Sequence, residues 1–149
     1  MSIDIHDMDL PRIQQIITEA AETVDRSNLD KILETHTAQF EYVTRYYPML
    51  QADAIKIKRE KEEVYAGMYV KIRQEKEVRS EKFTETLLNS LVILTPEYKD
   101  VSTRLGEADM KLKIIDRGFA VFKARETAIM QLISLYKSEY WALFGAEKS

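Results

Sequence analysis

The sequence predicts an all-α protein: an elongated antiparallel helical hairpin, coiled-coil-like in packing and oligomeric. Three observations carry this. Apolar residues alternate at spacings of three and four through Tyr98, Val101, Leu105, Ala108, Leu112, Ile115, Phe119, Phe122, Ile129, Ile133, Tyr136, Tyr140 and Leu143. That is the seam a long helix offers to a partner helix. A second series of the same period runs from Leu29 to Ile72, so two long helices are available to pair. Finally, the 149 residues include only 4 glycines and 3 prolines and are 32% charged, as solvated helix faces require.

Residues 1–8 read as a flexible acidic tail, and the spacing of His6 among Asp4, Asp7 and Asp9 matches no metal-ligand pattern. A first helix is expected over 9–25, capped by Asp7 or Asp9 with Pro11 in its first turn and Ile13, Ile16, Ile17, Ala20, Ala21 and Val24 on one stripe. Ser27 with Asp30 makes a capping-box variant that opens a long helix over 28–80, kinked at Pro48. His36 falls on its seam beside Phe40, Val43 and Tyr47, where a neutral interior histidine is the expectation; no Glu-x-x-His pair is present. Lys61 and Glu126 hold seam positions in the two long helices, the kind of polar exception that fixes register. The polar run Arg73–Lys82 reads as a solvated helix end or a connection. A short helix over 84–94 is apolar nearly all round and therefore expected to be buried. Thr95 and Pro96 then start the longest helix, 96–144, roughly 70 Å at 1.5 Å per residue. Gly106 and Gly118 inside it point to close backbone approach or a kink, and Gly145 suits its C-terminal stop.

By length the chain, 1–149, is one domain. With no cysteine it has no disulfide framework and no thiolate metal site. No apolar run approaches a membrane span and the N-terminus lacks a basic leader, so a cytoplasmic protein is expected. No phosphate loop, nucleophile elbow or zinc-protease motif occurs, so the chain reads as no enzyme, with no cofactor and no metal.

Charge is unevenly placed. Residues 1–47 carry 9 acids and 4 bases, whereas 56–82 carry 9 bases and 6 acids, and 99–125 carry 7 and 4. On the third stretch of helix Lys56, Lys58, Arg59, Lys71, Arg73, Lys76, Arg79 and Lys82 are interleaved with Tyr65 and Tyr69. Single-stranded nucleic acid is bound by this mixture, cations on phosphates and aromatic faces on unpaired bases. Glu60, Glu62, Glu63, Glu75 and Glu77 among them favour the plainer reading of a soluble helix face.

The stretch Leu112-Lys113-Ile114-Ile115-Asp116-Arg117-Gly118-Phe119-Ala120-Val121 resembles the C-terminal signature of the UvsY-like phage recombination mediators, and Val70-Lys71-Ile72-Arg73 resembles that family's Leu-Lys-Ala-Arg element. The similarity spans about residues 40–122. Gln74-Glu75 stands where the family has paired tyrosines, and the chain runs about 25 residues past Arg117-Gly118-Phe119. The resemblance implies a small, all-helical, oligomeric protein of the host cytoplasm that binds single-stranded DNA, contacts the single-strand DNA-binding protein and helps load a recombinase. Arg117 joins the expected DNA-binding residues on this ground. Leu112, Ile115, Phe119, Phe122, Tyr136, Tyr140, Trp141 and Phe144 are the expected oligomer or partner interface. The alternative is a structural or regulatory coiled-coil protein, such as a phage structural component, adaptor or inhibitor, acting through protein contacts alone.

Overall fold

In the computed structural model, which describes residues 3–145, capping chemistry sets where the helices begin. Asp4 caps a 3-10 turn, Ile5–Asp7, accepting from the His6 N–H at 3.0 Å. Asp9 caps α1, Leu10–Ala20, accepting from the Arg12 N–H at 3.1 Å, with Pro11 in the first turn where a missing N–H costs nothing. α1 stops short of the expected residue 25 because local side-chain bonds compete for the backbone that follows. The Asp25 carboxylate accepts from the N–H groups of Ser27 (2.8 Å) and Asn28 (3.2 Å), while Asn28 accepts from the Asp25 N–H and donates to the Thr23 carbonyl, both at 2.9 Å. The Ser27 hydroxyl also donates to Asp25, so the capping box expected from Ser27 and Asp30 does not form. α2, Leu29–Thr44, starts at Asn28 with no side-chain cap.

Where one kinked helix was expected over 28–80, Arg45 and Tyr46 form a turn and a separate α3 runs over Tyr47–Val78. A proline ring at position 48 would meet the Thr44 carbonyl in a continuous helix, and placing Pro48 in a new first turn relieves that clash. α3 closes with a Schellman motif: the Glu81 N–H donates to the Lys76 carbonyl at 3.0 Å and the Ser80 N–H to the Glu77 carbonyl at 3.1 Å. Ser80 takes the left-handed position at φ 53°, where glycine is usual. Thr84 caps α4, Glu85–Ile93, and Thr95 caps α5, Pro96–Phe144. The described residues contain five α-helices and no strand.

The chain divides into two compact units, one of residues up to Tyr47 with those from Lys113 on, the other Pro48–Leu112. In the first, α2 and the later part of α5 run antiparallel: Leu29 and Ile32 pack with Ile129, Gln39 meets Arg125, and Phe40 meets Phe119 at 5.7 Å between ring centroids. Ile13, Ile17 and Ala20 of α1 complete the core. The buried register of α5 differs from the apolar series at two places. Gly118 is buried where Phe119 was expected, and Arg125, 8% exposed, where Glu126 was expected. Gly118 is where the helices come closest: a Cβ there would lie 2.8 Å from Val43 Cγ1 and 3.1 Å from Ile17 Cδ1. At Gly106 nothing lies within 4 Å, so no close approach explains that glycine. No described glycine has positive φ, so Gly145 is not a left-handed cap.

In the second unit α3 and the start of α5 also run antiparallel. Ala54 and Ile57 pack with Val101 and Ala108, flanked by Val64, Leu105 and Leu112. The Arg104 guanidinium grips both oxygens of Glu60, at 3.1 Å through Nη1 and also through Nη2, and holds the Glu60 carboxyl below the usual carboxylate range. α4 is not buried all round: Leu88 and Val92 are inside, whereas Leu87, Ile93 and Leu94 are exposed. Among the described residues no helix is long and apolar enough to cross a membrane.

Candidate nucleic-acid interface

Four residues of spacing place Tyr65 and Tyr69 one turn apart on one face of α3. Their rings stack at 6.4 Å with planes 24° apart. Tyr98, in the first turn of α5, meets Tyr65 edge to face at 6.0 Å. Both α3 hydroxyls are tethered to α4, Tyr65 to the Asn89 side-chain oxygen and Tyr69 to Glu85 Oε2 at 2.8 Å. That bond to a carboxylate pushes the Tyr69 phenol up, keeping it protonated and donating. The two hydroxyls are therefore anchored, and the three rings, each half-buried, pack against one another at the open end of this unit's helix pair.

Cations sit beside them. Lys61 Nζ lies 5.4 Å from the centre of the Tyr98 ring, and Lys58 opens onto the same hollow of about 330 Å³, with Glu62, Tyr65, Tyr98 and Leu105. An aromatic wall with ammonium groups at its rim can stack an unpaired base and neutralise the adjoining phosphate.

Of the residues expected to bind nucleic acid, Lys58, Tyr65 and Tyr69 belong to this cluster. Lys56 opens instead on a polar hollow with Asp53, Glu60 and Arg104. Arg59, Lys71, Arg79 and Lys82 are exposed and form no ion pair among the described residues, whereas Arg73 pairs with Glu77 at 3.2 Å and Lys76 with Glu81 at 2.5 Å. Arg117 falls in the other unit. The second unit as a whole carries 12 bases and 12 acids, so no strong field backs the cluster. Tyr98 and Lys61 were read from sequence only as seam positions; the signal that ties them to Tyr65 is the antiparallel register, which puts residue 98 opposite residues 61 and 65.

The expected partner interface divides. Ile115 and Phe122 are buried within the first unit, Phe122 at the floor of an open groove, and Leu112 is half-buried against the core of the second. Phe119 stays half-buried, and Tyr136 is covered by the Arg26 guanidinium, 4.7 Å from its ring. Tyr140, Trp141 and Phe144 form an aromatic cluster whose members are 56%, 64% and 51% exposed. Among the described residues no three His, Asp or Glu side chains converge as metal ligands would. No family model matches the chain, and no curated protein or solved structure is detectably similar to it.

Proposed function

We propose that the chain is a non-enzymatic accessory protein of DNA recombination, binding single-stranded DNA and helping to load a recombinase onto it. The observation that carries the reading is the tethered Tyr65, Tyr69 and Tyr98 cluster with Lys58 and Lys61 at its rim. Bases stack on the rings and the lysines meet the backbone. The protein works as a homo-oligomer with coiled-coil-like contacts, in the cytoplasm of a phage-infected host, beside a recombinase and a single-strand DNA-binding protein. The recombination context comes from the resemblance to the UvsY-like mediators, and the stacking site is its local support.

A second reading has its own observation. The exposed Tyr140, Trp141 and Phe144 cluster, together with the pairing of Arg73 and Lys76 by glutamates, favours a structural or regulatory coiled-coil protein that never meets nucleic acid.

Anisotropy of a fluorescent single-stranded oligonucleotide at about 50 and about 200 mM salt, with duplex as control, separates them. The first reading expects preference for the single strand and a loss of affinity of order ten-fold across that range. Tyr65→Ala should weaken binding by roughly 1–3 kcal/mol at both salts, and Lys58→Ala should flatten the salt dependence. Folded protein that binds neither strand at micromolar concentration would leave the second reading in possession.

A further inference from the structure

The first unit carries an open apolar groove of about 760 Å³ between α2 and α5. Its floor is aromatic: Phe40 lies 5.7 Å from both Phe119 and Phe122, and His36 lies 5.6 Å from Phe122. The Nδ1 atom of His36 is buried there with no hydrogen-bond partner. One turn along each helix, Leu33 and Met130 continue the apolar surface at 48% and 63% exposure. An unfilled groove of this size, walled by large rings, is surface that a further helix would cover.

The rim says which helix. Asp116 and Lys123 both border the groove, are exposed, and form no ion pair among the described residues. They are seven residues apart, two turns on one face of α5, or about 10.5 Å. A two-fold axis passing between Phe119 and Ala120 runs a second α5 antiparallel to the first and sets Asp116 of each copy against Lys123 of the other. Two ion pairs form by one symmetry operation, which is the self-complementarity an isologous dimer needs. The two Phe119 rings then meet over the floor. Glu126, the remaining charge on the groove, lies beside His36 rather than on that line.

We infer that this groove is the self-association surface of the protein, occupied by α5 of a second copy in antiparallel two-fold arrangement about Phe119 and Ala120. It deepens, and rests on, the homo-oligomer part of the function proposed above. The aromatic end at Tyr140–Phe144 is left free for a different partner.

Charge reversal tests the pairing, read by sedimentation equilibrium with circular dichroism to show that each variant is folded. Asp116→Lys alone and Lys123→Asp alone set like charges together twice, and each is expected to weaken association on the order of ten-fold. The double swap restores opposite pairs and wild-type association. The chain has no cysteine, so a second measurement uses Ala120→Cys: oxidation should give a covalent dimer, while Gln14→Cys, exposed on α1, should give no cross-link. Association indifferent to either single swap, or a double swap no better than the singles, or equal cross-linking at 120 and 14, overturns the inference and leaves oligomerisation by another surface standing. Wild-type protein that is monomeric at tens of micromolar overturns both.

Discussion

Replacing Gly118 by alanine sets two terms of opposite sign against each other. Alanine in a helix interior gains about 0.8–1 kcal/mol over glycine, so an indifferent environment would make the variant more stable. Here the new methyl would lie 2.8 Å from Val43 Cγ1 and 3.1 and 3.4 Å from Ile17 Cδ1 and Cγ1. Neither neighbour can withdraw, because both are buried and held by other elements of the core. Forced overpacking of this kind costs about 1–3 kcal/mol. Packing therefore wins, and Gly118→Ala is expected to lose about 1 kcal/mol net, or about 2–4 °C in Tm. Gly67→Ala and Gly106→Ala are the controls: nothing stands within 4 Å of either new methyl, so each should gain about 0.5–1 kcal/mol. Urea unfolding followed by circular dichroism measures all three. Val43→Ala clears the nearest obstruction, and in that background the Gly118→Ala penalty should shrink by about 1 kcal/mol, a coupling a double-mutant cycle reads directly. If Gly118→Ala stabilises as much as Gly106→Ala, the close approach of α1, α2 and α5 at this point is wrong.

Two further perturbations follow from local geometry. Ser80→Gly removes a side chain from the left-handed cap of α3, where an L-residue pays roughly 1–2 kcal/mol, and should raise stability by about 1 kcal/mol; a fall in the urea midpoint would contradict the Schellman geometry. Burial, and secondarily the charge of Arg125, hold the His36 imidazole below its ordinary value of 6.5. The unfolded chain takes up that proton first, so the stability this residue confers is complete above about pH 6.5 and is lost as pH falls toward its folded value. His36→Phe removes the linkage: its Tm should decline less than wild type's between pH 7.5 and 5.5, and equal declines would place the imidazole in water.

The longest helix was legible because each of its turns repeats one simple signal, an apolar residue three or four along, and Thr95-Pro96 marks its start. What that signal cannot carry is any interior position not filled by an apolar side chain. Gly118 is inside because helices touch there, and Arg125 is inside because Gln39 accepts from its Nη1 at 2.8 Å while the rest of its long stem packs. A hydrophobic pattern passes over both and assigns Phe119 and Glu126 in their place. The same limit hid the candidate site. Tyr65 and Tyr69 announce themselves by their spacing on a lysine-rich helix, but Tyr98 joins them only through the register of α3 against α5, a property of two segments at once.

That register also bears on how any DNA binding must work. The basic excess of 56–82 is offset within its own unit by Glu85, Glu97, Asp100, Glu107 and Asp109, among others, leaving 12 bases against 12 acids. Long-range attraction to a polyanion is then weak, and affinity has to come from contact: the rings first, and the cations beside them. Lys58 and Lys61 are the two at the rings, neither in an ion pair among the described residues. At about 0.7 counterion released per phosphate on a single strand, two contacts give a log–log salt slope near −1.4, about seven-fold across a four-fold change in salt. A slope much steeper would require cations beyond this cluster. One near zero, with Tyr65→Ala still weakening binding, would mean that stacking alone holds the strand.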